Sequence, residues 1–156
     1  MNIKDFKSQI NIISNDEANI IRERFIARFI NVNSSHYKKY IKKLEKYVDG
    51  YCYEGYLWDC LKESYVIDEK YIDDIANGFN DVYIMWDINT CEKIYIEDYW
   101  KFGKTDILNG DMNVLLEGEV FLPEDYYIFD KEMQWCLIKT HEDINGCRYC
   151  LKSGNI

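Results

Sequence analysis

The sequence predicts an α+β protein in which about four N-terminal helices pack on a small, mainly antiparallel C-terminal sheet. Three observations predict it. Apolar residues before Gly78 recur at helical spacing, Val82–Trp86 is an unbroken apolar run, and residues 126–151 hold three apolar segments separated by turn residues. Helices first and strands afterwards imply segregated rather than alternating elements. At 156 residues and 47% hydrophobic composition, the chain fits one ordinary domain, 1–156, with a sizeable core.

Ser14-Asn15-Asp16-Glu17 has the form of a capping box, with Ile13 and Ala18 at the staple positions. Ala18, Ile21, Phe25 and Phe29 then predict a helix over about 15–30. After the break at Asn31–Ser35, Tyr37, Tyr40, Ile41, Leu44, Tyr47 and Val48 predict a second helix. Lys38, Lys39, Lys42, Lys43 and Lys46 occupy its other side, and Gly50 is its stop. Tyr53, Tyr56, Leu57, Cys60 and Leu61 predict a third. A fourth opens at Asp68, with Ile67 and Ile72 as its staple and Gly78 closing it.

Val82–Trp86, bounded by Asn80-Asp81 and Asp87, reads as a buried central strand. Lys93–Ile96 is expected to return beside it through the Asn89-Thr90 turn. Residues 97–122 are the least legible: Tyr99, Trp100 and Phe102 are bulky enough to pack, while Gly103, Asn109-Gly110 and Gly118 suggest turns. Tyr126–Phe129, Gln134–Lys139 and Cys147–Leu151 then form a β-meander, with turns at Asp130–Met133 and His141–Gly146.

Charge divides the chain. Residues 1–48 carry ten Lys/Arg against five Asp/Glu, a net of +5, and residues 49–156 carry nine against 23, a net of −14. With a sequence pI near 4.7, the acidic remainder repels a phosphate backbone, so the lysine-rich segment reads as a solvated face and no nucleic-acid partner is expected. No apolar run approaches the roughly 20 residues of a membrane span, and the N-terminus lacks a secretory signal. A cytoplasmic protein with reduced thiols is expected, and no membrane association. Only three Ala, four Arg and one Pro, against many Ile, Asn, Lys and Tyr, point to a low-GC bacterial genome.

Three constellations carry chemistry. Cys147-Arg148-Tyr149-Cys150 has CxxC spacing, but on a strand its sulfurs point to opposite faces and no second pair completes a zinc site. Ordinary reduced thiols, and no metal, are expected. Thr140-His141-Glu142-Asp143 joins a histidine to acids, so His141 suits a general base oriented by a carboxylate; Asp87 is a further catalytic candidate. The plainer alternative is a polar turn with Arg148 paired across the hairpin. Asp59, Asp87 and Asp130 each end an apolar run, and if those ends converge they would bind magnesium or form an acidic pocket for a basic side chain; otherwise they serve as turn residues. No phosphate-cradling loop or nucleophile motif is present, and no cofactor is expected.

Tyr56–Cys60, Tyr83–Asp87, Leu122–Asp130, Trp135, Thr140-His141-Glu142 and Arg148-Tyr149-Cys150 resemble a family of small uncharacterised proteins of low-GC bacteria. The resemblance covers roughly residues 50–152 and implies no activity. In type rather than motif, a small acidic cytosolic chain also resembles the immunity proteins that neutralise secreted toxins. The functional expectation is therefore a non-enzymatic binding protein, of immunity type, meeting a basic protein partner through Asp59, Asp87, Asp130, Trp135 and Arg148. The alternative is a small enzyme or metal-binding protein centred on His141 and Glu142; a homo-oligomeric structural protein is a third reading. An enzyme requires His141 to face a cleft with a carboxylate in reach. A binding protein requires it held in a structural contact or on an open surface, and this second outcome is expected.

Overall fold

The computed structural model describes residues 1–47, 50–89 and 101–156. The expected return strand at Lys93–Ile96, its turn at Thr90, and Tyr99 and Trp100 lie outside the described residues. The architecture is a seven-stranded antiparallel sheet with helices on both faces, which corrects the expectation of four N-terminal helices on a small sheet.

Helix α1 (Ile3–Ser8) is capped by Asn2, whose side chain accepts from the Asp5 amide at 2.9 Å. The edge strand β1 (Asn11–Ile13) leads into α2 (Asn15–Phe29), which buries the predicted stripe Ala18, Ile21, Phe25 and Phe29. The capping box does not form. Ser14 precedes the helix, but its hydroxyl donates to Asp106 Oδ1 at 2.7 Å.

The second predicted helix stops after one π-helical turn at Tyr37–Ile41, and the chain then enters a two-stranded sheet, β2 (Glu45–Tyr47) with β3 (Gly50–Cys52). The Tyr40 carbonyl, which a continuing α-helix would offer to the Leu44 amide, instead accepts from the Glu54 and Gly55 amides. The five lysines of this segment are exposed, as expected of a solvated face. The third predicted helix is a short 3-10 turn, Leu57–Cys60, because the Leu57 and Trp58 amides are held by Asp87 and the Tyr127 hydroxyl.

Strand β4 (Tyr65–Ile67) precedes α3 (Glu69–Ile75), where Asp68 caps the Lys70 amide as its position implied. A 3-10 turn through Gly78 ends that helix. Strand β5 (Val82–Trp86) follows, and beyond the undescribed segment come β6 (Ile107–Gly110) and α4 (Met112–Glu117). Asn109-Gly110, read as a turn, ends β6: the Asn109 side-chain Nδ2 donates to Asp81 Oδ1 and the Val82 carbonyl. The meander is β7 (Tyr126–Asp130), β8 (Trp135–Ile144) and β9 (Cys147–Gly154). Thr140–Asp143 is therefore not a turn but an extension of β8, with a register irregularity between Lys139 and Asp143.

Sheet order is β1-β6-β5-β7-β8-β9-β4, so β5 lies inside the sheet as expected. Side chains alternate between two cores. Met85, Tyr127, Phe129, Cys136, Ile138 and Leu151 pack under α2 and the Leu57–Cys60 turn. Val82, Ile84, Trp86, Ile128 and Leu137 pack on the other face against Phe6 of α1, Ile72 of α3 and Leu115 of α4. Strands buried on both faces read as continuous apolar runs, and such strands need cover on both sides.

Candidate functional site

The site forms where β5 ends and β7 begins, neighbours through the pair Trp86–Tyr126. Asp87, 2% exposed, accepts the Tyr53 hydroxyl at 2.6 Å, the Tyr127 hydroxyl at 2.7 Å and the Leu57 amide at 3.0 Å. Burial pushes its carboxyl up to about 6 against the pull of those three bonds. The Tyr53 and Tyr127 hydroxyls are held well above their ordinary range, first by burial and then by Asp87. Asp87 thus anchors the Leu57–Cys60 turn from below, closed to any partner.

Asp125 performs the matching task one strand over. Its Oδ1 accepts Trp58 Nε1 and the His141 amide, both at 3.0 Å, and both carboxylate oxygens lie 3.0 Å from His141 Nδ1. A carboxylate at Nδ1 places a ring proton there, and in the corresponding neutral tautomer Nε2 is the acceptor. The ring also rests against Tyr56, centroids 5.1 Å apart, and Trp58 at 6.2 Å. Asp59, on the same turn, has its carboxyl raised by burial; His36 opposes that, and Glu142 and Asp125 reinforce it.

His141 lines a cleft of about 430 Å³ together with Glu119, Glu124, Glu142, Asp143 and Arg148. Arg148 is engaged as a clamp through all three of its nitrogens. Its Nε donates to the Thr140 carbonyl at 2.8 Å, Nη2 to the Glu124 carbonyl, and Nη1 to Glu119 and, at 3.3 Å, to Glu69. Beneath it the buried Lys139 places Nζ 3.1 Å from Glu69, 3.5 Å from Glu119 and 3.7 Å from Asp73. Burial alone would raise the Glu119 carboxyl, but Lys139, the Tyr126 hydroxyl and Arg148 together hold it below its ordinary value. Thr140, the hydroxyl in the cleft lining, donates to the Tyr149 carbonyl and accepts from the Glu142 amide, so it is committed to the backbone.

The structure therefore gathers His141, Glu142, Arg148 and Asp59 at one end of the sheet and separates the other candidates. Asp130 lies at the far end of β7, about 17 Å away at roughly 3.3 Å per residue, where it caps a turn by accepting the Gln134 and Trp135 amides. The three aspartate-terminated runs cannot converge, because β5 and β7 are antiparallel and Val82, not Asp87, faces Asp130. Trp135 is 6% exposed and packs on Phe79 in the second core. His141 combines the two expected outcomes: Asp125 holds it in a structural contact, and it also lines a cleft with that carboxylate in reach.

Sequence reasoning missed Asp125, Glu119 and Lys139. A signal existed for Lys139: a lysine inside a strand buried on both faces requires a carboxylate partner. Asp125 carried no comparable signal, since its role depends on the register of β7 against β8. Among the described residues, no group of three His, Cys, Asp or Glu side chains is placed to hold a metal ion.

The CxxC thiols are set apart on β9, Cys147 exposed and Cys150 buried. Burial pushes the Cys60 thiol up to about 12 and Cys150 up to about 11, and holds Cys136 well above its ordinary range. Among the five described cysteines, Cys147 is expected to react first with a disulfide reagent in the native protein. Mass mapping after brief labelling checks this, and equal labelling of Cys136 would contradict it.

The class the fold defines is an antiparallel α+β sheet protein with an acidic cleft at one sheet end. No helix among the described residues is long and apolar enough to cross a membrane. In comparison with known proteins, the chain matches no family model, no curated protein and no solved structure. The resemblance to small low-GC bacterial proteins has no counterpart in these comparisons, and nothing is carried over from it.

Proposed function

We propose that this chain is a binding protein for a basic protein partner, and that the cleft beside His141 receives a cationic side chain. One observation carries the reading. Glu119, Glu124, Glu142 and Asp143 line a single cleft, and Arg148, its one Arg or Lys among the described residues, is already bound to Glu119 and Glu69. Asp125 and Asp59 add negative charge beneath and beside it. A partner guanidinium would find carboxylates for paired hydrogen bonds and an acidic field that speeds its approach. Inhibition of a basic toxin in the manner of immunity proteins is one form this function takes.

The test uses an arginine-containing hexapeptide and its citrulline counterpart, which keeps the shape and removes the charge. The arginine peptide is expected to bind, with affinity falling as salt rises, and to lose about tenfold on Glu142→Lys with Asp143→Lys. Equal binding of the citrulline peptide would refute the reading. The Asp125–His141 geometry favours a second reading, in which Nε2 acts as a general base on a cleft-bound substrate. That reading requires a turnover that His141→Ala abolishes while the melting temperature holds.

A further inference from the structure

We propose that the basic partner docks as an extended strand along the edge of β9 that β4 leaves open, running from there to the acidic cleft. This rests on the basic-partner reading and adds the partner's conformation and its second point of contact. Strand β9 begins at Cys147, but among the described residues β4 pairs with it only at Cys150, Leu151 and Lys152 before its chain turns away at Asp68 into α3. Beside the remaining residues, Cys147–Tyr149, lies a groove of about 480 Å³ lined by Val66, Ile67, Asp68, Glu69, Ile144 and Tyr149, among others. It occupies the track that a longer β4 would have filled.

Three features select the occupant. Natural sheet edges are usually guarded by lysine, proline or bulges, yet β4 is Tyr-Val-Ile, with Tyr65 58% and Val66 67% exposed. Ile144, 49% exposed, supplies a second apolar wall. Asp68 lines the same groove, as does Glu69, whose carboxylate is already paired with Lys139 and Arg148, and Arg148 lines both the groove and the cleft, so the two adjoin across one side chain. A strand with side chains alternating basic and apolar meets these requirements: apolar side chains lie against Val66 and Ile144, basic ones meet Asp68 and the cleft carboxylates, and the backbone pairs with β9.

The experiment uses a capped hexapeptide of alternating arginine and valine, and the same peptide N-methylated at alternate amides to block backbone pairing along one edge. Binding is followed by fluorescence anisotropy and by hydrogen exchange of the full chain. The plain peptide is expected to slow exchange at the Arg148 amide, because the Tyr149 backbone faces β8 and Arg148, one residue before it, faces the open edge. N-methylation on the pairing edge, Val66→Lys and Ile144→Lys are each expected to weaken binding about tenfold, with the melting temperature unchanged because both side chains are solvent-exposed. If Glu142→Lys weakens binding while N-methylation and Val66→Lys do not, strand docking is overturned and the cleft reading stands. If Val66→Lys and N-methylation weaken it while Glu142→Lys does not, the groove stands and the cleft reading falls. If none matters, both fall. A dimer of the free protein that Val66→Lys dissolves would assign the edge to a second copy of this chain and overturn the proposal.

Discussion

Replacing Trp86 by alanine is expected to lower the unfolding free energy by about 3–5 kcal/mol, the usual cost of emptying an aromatic core site. Trp86 is 0% exposed in the core formed with α1, α3 and α4, and its ring centroid lies 5.8 Å from that of Phe102. Its indole Nε1 donates to the Lys104 carbonyl at 2.8 Å, so truncation also strips a hydrogen bond from a loop that closes over the sheet. Trp86 is paired with Tyr126 of β7, and that backbone limits how far the cavity can collapse. The check is urea unfolding, read as a fall in midpoint at unchanged slope. A loss below about 1 kcal/mol would mean that the site repacks or is peripheral.

The same strand shows what was legible in the sequence. Val82–Trp86 carries no charge to interrupt it, and a strand buried on both faces has that signature. The α2 stripe, the Asp68 cap and the meander were legible for similar local reasons: period, capping chemistry and turn residues. The second and third predicted helices were not. Their backbone groups are claimed from a distance, the Tyr40 carbonyl by Glu54 and Gly55, and the Leu57 and Trp58 amides by Asp87 and Tyr127. Helical spacing of Tyr and Leu cannot reveal such competition. At the site, His141, Glu142, Asp59 and Arg148 stood out as charged or titratable residues beside apolar words. Which aspartates join them depends on antiparallel register: Asp125 sits beside Asp87, and Asp130 at the opposite end.

Asp87 should also write its burial into the pH dependence of stability. Its carboxyl is raised from an ordinary 3.8 to about 6 in the fold. Below about pH 4 the proton is held in both states, and above about pH 6 it is lost from both. Between those values the folded chain keeps a proton that the unfolded chain releases, so rising pH favours unfolding across this window. Moving the carboxyl from 3.8 to about 6 corresponds to about 3 kcal/mol of stability lost from about pH 4 to 7. Other groups titrate there too, so the quantity to measure is the difference between the native protein and Asp87→Asn, which cannot ionise. The asparagine keeps an acceptor for one tyrosine hydroxyl or the Leu57 amide, and the Tyr53 and Tyr127 hydroxyls can rotate to receive its amide protons. Urea unfolding of both proteins at intervals from pH 4 to 7 is expected to show the native protein's advantage shrinking as pH rises. Parallel curves would mean that the three bonds to Asp87 offset its burial completely, leaving a carboxylate as content in the interior as in water.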